Sequence, residues 1–220
     1  MLHRLAEVLN AEDLATIRDL TADRSAFIDG ASTAGAAARA VKANRQMAPG
    51  PKADAVRRLC EAALNRHGVF QAAAQPTRIL RTLISLYGPG EAYGLHVDDA
   101  IMGGARSDLS FTLFVADPES YEGGELALQD SSGETGIKLS AGDAVLYPTG
   151  ALHQVKPVIG GERLAVVGWV RSFVRRADQR DILFDLSLTI SALHARDGKS
   201  AEVDRLMKTR TNLLRQWAED

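Results

Sequence analysis

"ILRTLISLYGPGEAYGLHVDD", Ile79 to Asp99, carries the alternation from which the architecture is read. Leu83, Ser85 and Tyr87 alternate with Thr82, Ile84 and Leu86, so the run reads as a β-strand. The turn Gly88-Pro89-Gly90 ends it. Beyond the turn stands the triplet His96-Val97-Asp98. Residues two apart on an extended chain point to the same face, which sets an imidazole beside a carboxylate. Alone, the pair is either a wet strand face or part of a metal site, and a third ligand is needed to separate the two.

The two-residue period recurs downstream. "DLSFTLFV" sets Leu109, Phe111, Leu113 and Val115 against Ser110, Thr112 and Phe114. "GGELALQD" opens on a glycine pair, Gly123 and Gly124, and puts Leu126 and Leu128 on one face. These glycines read as a tight turn or positive-φ device; no helix with Lys-Ser/Thr follows, which excludes a phosphate loop. "TGIKLSAGDAVLYP" reads as strand, Gly142-Asp143 turn, strand. "RLAVVGWVRSFV" is a long, nearly continuous apolar run, the pattern of a strand buried on both faces. Short strands separated by glycine turns predict an all-β sandwich or barrel. The lack of strand–helix alternation from Ile79 to Val174 argues against a parallel sheet.

Helical patterns flank this region. Asn10 suits an N-cap, with Glu12 and Asp13 in the first turn and Leu14, Ile17 and Leu20 at helical spacing. "IDGASTAGAAARAVKAN" (28–44) reads as a loop passing into a short helix. A further helix follows Pro51, with Val56, Leu59, Cys60 and Ala63 on one face. Past Arg176, Ile182, Leu186, Ile190 and Leu193 form a stripe that ends near Gly198. A last helix carries Val203, Leu206, Leu213, Leu214 and Trp217. The expected organisation is a helical N-terminal segment over 1–76, a β domain over 77–176 and a helical tail over 177–220. The tail's apolar stripe packs on its own barrel or on a second copy as a homo-oligomer; the pattern leaves both open.

The chain has 220 residues, 45% apolar and 25% charged, with a formal net charge of −2. That balance gives no nucleic-acid footprint. The cluster Arg171, Arg175, Arg176 and Arg180 is diluted by Asp178 and Asp181 and reads as a solvated face. The single cysteine, Cys60, excludes an intrachain disulfide and reads as a buried apolar residue. No apolar run approaches the ~18 residues of a membrane span, and the N-terminus has no secretory-signal pattern. A cytoplasmic protein with no membrane partner is expected.

A third ligand candidate is His153, at the start of an alternating segment with Val155 and Pro157 behind it. In a two-sheet barrel that start can face His96 and Asp98. Two imidazoles and one carboxylate on one face of a metal leave positions open, the arrangement of non-haem Fe(II) oxygenases. Ten positions on, Arg163 opens the long strand, and its guanidinium is a planar fork that binds a carboxylate through two hydrogen bonds. A zinc hydrolase could use the same trio but leaves Arg163 unexplained. A non-enzymatic β-sandwich that binds a metal or siderophore also fits.

"YGPGEAYGLHVDDAI", "EGGELAL", "GDAVLYPTGALHQVKPVIGGERLAVVGWVRSFVR" and "IDGASTAGAAARAVKAN" together resemble the PKHD-type hydroxylases, bacterial relatives of the prolyl 4-hydroxylase group of Fe(II)/2-oxoglutarate dioxygenases. The resemblance spans nearly the whole chain. It implies a double-stranded β-helix (jelly-roll) core, and it implies Fe(II), 2-oxoglutarate and O₂, with ascorbate keeping the iron reduced. By motif match, His96, Asp98 and His153 would be the iron ligands, and Arg163 would hold the distal carboxylate of 2-oxoglutarate. The implied reaction is hydroxylation of a small-molecule or peptide substrate with release of succinate and CO₂, linked in the family to iron uptake. Around this set, Asp99 is expected on the opposite strand face, and His3, His67 and His194 as ordinary surface residues. Tyr93 and Trp169 either line a substrate pocket or are buried in the sandwich, with burial the default expectation. Tyr87 either packs or offers its hydroxyl to the co-substrate.

Overall fold

The computed structural model describes residues 2–33 and 39–219. Its strands are β1 (His3–Leu5), β2 (Phe27–Asp29), β3 (Lys42–Ala43), β4 (Arg45–Met47), β5 (Pro76–Tyr87), β6 (Ala92–His96), β7 (Ile101–Met102), β8 (Ala105–Arg106), β9 (Leu109–Phe114), β10 (Tyr121–Gly123), β11 (Leu126–Asp130), β12 (Gly133–Ile137), β13 (Ala144–Pro148), β14 (Leu152–Val155), β15 (Val158–Gly161) and β16 (Arg163–Ser172). The helices are α1 (Ala11–Leu20), α2 (Pro51–Arg66), α3 (Gly68–Ala74), α4 (Ala177–Asp197) and α5 (Ala201–Trp217).

Two antiparallel sheets make the jelly roll. The larger runs β1-β13-β9-β16-β5-β4-β2 and the smaller β12-β11-β14-β6-β3. In the larger sheet, Ile84, Leu86, Leu109, Phe111, Leu113, Leu164 and Val166 pack beneath the helices, with Val56, Cys60, Leu64 and Phe70. The alternate residues Phe114, Val145 and Tyr147 meet Leu126, Leu128 and Ile137 of the smaller sheet. The central strands are therefore covered on both faces, which is why β16 reads as a nearly continuous apolar run.

Asn10 caps α1 through a reciprocal box. Its side chain accepts from Asp13 N (2.8 Å), and Asp13 accepts from Asn10 N (3.2 Å). Such a cap stabilises a helix by about 1 kcal/mol. Cys60 is wholly buried in α2, and burial pushes its thiol up to about 12.

Several expectations need correction. The N-terminal segment is not purely helical, because β1 to β4 all lie within it. These strands are two or three residues long and exist through their partners: β1 zips onto β13, with His3 opposite Leu146, and β4 onto β5. The short helix read within 28–44 falls largely on residues 34–38, outside the described residues; Gly30–Thr33 before them is a 3₁₀ turn. In α4 the buried positions are Leu183 and Phe184, while Ile182 is exposed and Leu186, Ile190 and Leu193 are half-buried. The inward face of α4 is set by its start: Arg180 is buried and donates to Val174 O and Arg175 O (2.8 Å each). His3 is half-buried, with its ring 4.4 Å from Phe184. His67 caps α3, its Nδ1 accepting from Phe70 N (3.2 Å).

Candidate active site

Two of the three predicted ligands come from the smaller sheet and the third from the chain just past it. His96 ends β6, and His153, on β14, is its direct partner across the antiparallel ladder. Asp98 follows two residues after His96 and closes the trio from below. Each histidine ring is oriented by its own backbone neighbourhood: Nδ1 of His96 lies 2.8 Å from Gly94 O, and Nδ1 of His153 lies 3.0 Å from Ala151 O. A carbonyl only accepts, so both Nδ1 atoms carry the proton and both Nε2 lone pairs are free. This is the outer hydrogen bond that fixes the tautomer of a metal-ligating histidine. The free Nε2 atoms stand 3.6 Å from Asp98, His96 toward Oδ1 and His153 toward Oδ2. All three ligand atoms lie within 4.8 Å of one another, a spacing that fits donors around one ion.

The electrostatics keep this set ready to ligate. Burial pushes the Asp98 carboxyl up, but the hydrogen-bonding and charged groups around it outweigh burial and hold the group below the ordinary carboxylate range. Ser110 Oγ donates to Asp98 Oδ2 at 2.8 Å. His153 is lowered, chiefly by burial and against the pull of Asp98, so its imidazole is neutral near pH 7. A neutral imidazole at His153 beside an ionised Asp98 suits a divalent first-row metal.

A cavity of about 320 Å³ opens over the trio. Tyr93 and Trp169, for which the sequence leaves pocket lining and burial open, both line it. Tyr93 stacks on His96 with centroids 3.6 Å apart at 16°, and the Tyr147 ring stands edge-on to His153 at 5.2 Å. Tyr87 is buried in the wall, and burial raises its hydroxyl to about 12. Asp99 is exposed at the rim.

Arg163 is 1% exposed and pairs in register with Tyr87. It shares the inward face of β16 with Val167 and Trp169, which line the cavity, but it lies deeper, beyond the lining. Its Cζ is 5.3 Å from the Tyr87 ring and 5.5 Å from the Phe114 ring. Its Nε, Nη1 and Nη2 are buried and make no well-formed hydrogen bond; the Tyr121 hydroxyl beside it, close enough to influence it, is likewise unsatisfied. An unsatisfied buried charge is costly. A guanidinium held this way between two rings fits an anionic ligand that completes it.

Sequence reasoning missed part of the wall. Ser110 and Tyr147 come from β9 and β13; Thr33, Lys42, Asn44 and Gln46 come from the N-terminal segment. No spacing in the sequence ties them to His96, since sheet pairing alone brings them there.

The comparisons with known proteins agree with this geometry. Residues 82–171 match the 2OG-Fe(II) oxygenase superfamily, and residues 178–219 match the PKHD-type hydroxylase C-terminal domain. A PKHD-type hydroxylase of Maricaulis maris is 56% identical over 220 residues, covering 100% of both chains. One of Parvibaculum lavamentivorans is 49% identical over the same full coverage. Among solved structures, a Pseudomonas putida prolyl-4-hydroxylase aligns with a TM-score of 0.52 at 23% identity, covering 78% of this chain and 92% of its own. HygX from Streptomyces hygroscopicus, solved with nickel and 2-oxoglutarate bound, aligns with a TM-score of 0.57 at 13% identity, covering 79% and 84%. Those two structures share the jelly-roll fold. Full-length identity to the curated hydroxylases goes further, and on it this chain belongs to the PKHD-type hydroxylase family of 2OG-Fe(II) oxygenases.

Proposed function

We propose that the chain hydroxylates an unactivated C–H bond of a small-molecule or peptide substrate, with Fe(II) held by His96, Asp98 and His153. The observation that carries this reading is the pairing of three convergent ligand atoms with a buried guanidinium that has no partner. A hydrolase built on the trio has no use for that cation. A 2-oxo acid with a second carboxylate has one.

Bound Fe(II) with 2-oxoglutarate and O₂ would supply the oxidation, releasing succinate and CO₂ and placing one oxygen atom in the substrate. The protein's share is positional. Three ligands on one side leave coordination positions for co-substrate and O₂. Arg163, backed by Tyr87 and Tyr121, would grip the distal carboxylate as a fork. Ser110 would hold the Asp98 carboxylate in place, and Tyr93 and Tyr147 would pack the imidazoles and exclude water. Ascorbate as reductant, a role tied to iron uptake and a cytoplasmic setting come with the sequence reading and form part of the proposal.

The test is anaerobic addition of Fe(II) and 2-oxoglutarate to metal-free protein, followed by O₂. A new visible absorption band, then succinate formation that requires both Fe(II) and 2-oxoglutarate, is the expected result. Tight zinc binding with no such band would favour the hydrolase. Metal binding with no succinate would favour a binding module.

A further inference from the structure

The trio and Arg163 leave one wall of the cavity without a role. That wall carries two cations, Lys42 on β3 and Arg81 on β5. Lys42 is half-buried; its Nζ donates to Thr33 Oγ1 (2.9 Å) and lies 5.0 Å from the Tyr93 ring centroid. Thr33 Oγ1 in turn donates to Gln46 Oε1 (2.7 Å), which fixes the ammonium's neighbour in place. Burial, and then the like charge of Arg81, push Lys42 down to about 8, against the pull of Asp98 and Asp29. Among the described residues, neither Lys42 nor Arg81 has a carboxylate within ion-pair distance. Some cations elsewhere do: Arg45 pairs with Glu91, Arg106 with Asp108 and Lys156 with Glu134. The mouth also carries apolar side chains, Ile101 (62% exposed), Val97 and Met102.

Two like charges held unpaired in one concavity destabilise each other. An anion placed between them removes that cost and gains charge-assisted hydrogen bonds. The position is specific. Tyr93 separates Lys42 from His96, with the ammonium over the Tyr93 ring and the ring stacked on the imidazole. An anion at Lys42 would therefore sit beside the aromatic ring that stacks on His96.

We propose that the substrate, as distinct from 2-oxoglutarate, carries a carboxylate that pairs with Lys42 and Arg81 while its apolar body lies against Val97, Ile101 and Met102. This rests on the functional reading above, which it refines by naming a substrate class. The carboxylate could belong to a free aliphatic acid or to the C-terminus of a peptide.

The experiment loads the protein anaerobically with Fe(II) and saturating 2-oxoglutarate, so that the co-substrate position is filled. Hexanoate, N-acetyl-glycyl-leucine and the neutral amide of each are then titrated by calorimetry. Wild-type protein should bind the acids, with the amides roughly tenfold weaker or more, and Lys42→Met should lose a similar roughly tenfold factor for the acids. Tighter binding of hexanoate or of the peptide says which source the site takes. Equal binding of acids and amides, no binding of either acid, or unchanged acid binding by Lys42→Met each overturn the proposal. So does loss of 2-oxoglutarate binding by Lys42→Met, which would make Lys42 the co-substrate's anchor. If wild-type protein fails to take up Fe(II) and 2-oxoglutarate, the functional reading fails. The same titration into metal-free wild-type and Lys42→Met protein then tests the carboxylate site by itself.

Discussion

His153 stands directly opposite His96 in the ladder between β14 and β6. Opposed residues of an antiparallel pair hold their side chains close together on one face. Two imidazoles far apart in sequence are therefore set side by side by main-chain hydrogen bonds rather than by loops. Asp98, just past the end of β6, is drawn toward the pair by Ser110 on the facing sheet. A site mounted on strands in this way is already shaped before any ligand arrives.

Replacing His153 with Ala removes one of the three proposed ligands from this scaffold. Iron-dependent succinate formation should fall below detection, while circular dichroism and the thermal transition show a folded chain. Turnover at the wild-type rate would remove His153 from the ligand set.

Arg163 offers a test with two opposite signs. Arg163→Lys substitutes a point charge for a fork and should raise the KM for 2-oxoglutarate by roughly ten- to a hundredfold, the cost of losing a charged hydrogen bond. Arg163→Met removes a buried, unpartnered guanidinium. Replacing such a charge by an apolar side chain is often neutral or stabilising, so this variant should unfold at the same or a higher temperature without co-substrate. An unaltered KM in the lysine variant would remove the assigned anchor.

Gly124 holds the space that Arg163 occupies. Its φ is +67°, and an added Cβ would lie 2.9 Å from Val158 Cγ2 and 3.1 Å from Arg163 Cδ. Gly124→Ala should cost about 1–3 kcal/mol of stability through the strained backbone and raise the 2-oxoglutarate KM by displacing the guanidinium. Urea denaturation and initial-rate kinetics measure the two effects; a stability loss with no change in KM would separate the glycine from the anchor.

Lys42 gives a pH signature. Its folded value, about 8, is below the ordinary 10.5. From about pH 8 to 10.5 the unfolded chain therefore binds more protons than the folded one, and stability must rise with pH. At lower pH the charged ammonium is a liability, with Arg81 opposing it and Asp98 and Asp29 only partly offsetting its burial. Lys42→Met should thus be more stable than wild type at pH 7, and the gap should narrow by pH 10. Urea midpoints of both proteins at the two pH values read this directly, and a constant gap would contradict it.

Much of the fold was legible because long strands carry their own signal. β5, β9 and β16 alternate or run apolar over six to twelve residues, and the Asn10 cap announces α1. The convergence of the candidate ligands was legible for a related reason: His96 and Asp98 sit two apart at a strand end, and His153 lies near a strand start. β1 to β4 were not legible. Segments of two or three residues have no period to read, and they become strands only when an edge of β13, β5 or β6 is there to pair with. In α4, Ile182, Leu183 and Phe184 are equally apolar, so the sequence could not say which of them faces inward.

The amino-acid sequence by itself determined the two-residue alternation, and with it the β class, the three candidate ligands and the arginine that follows them. These are properties of local order along the chain. The tertiary structure alone decided that His153 pairs with His96, that Arg163 is sealed between Tyr87 and Phe114 without a partner, and that Lys42 and Arg81 share one wall. Those relations depend on which strands become neighbours, and strand pairing is a long-range choice made by the burial of both sheets together.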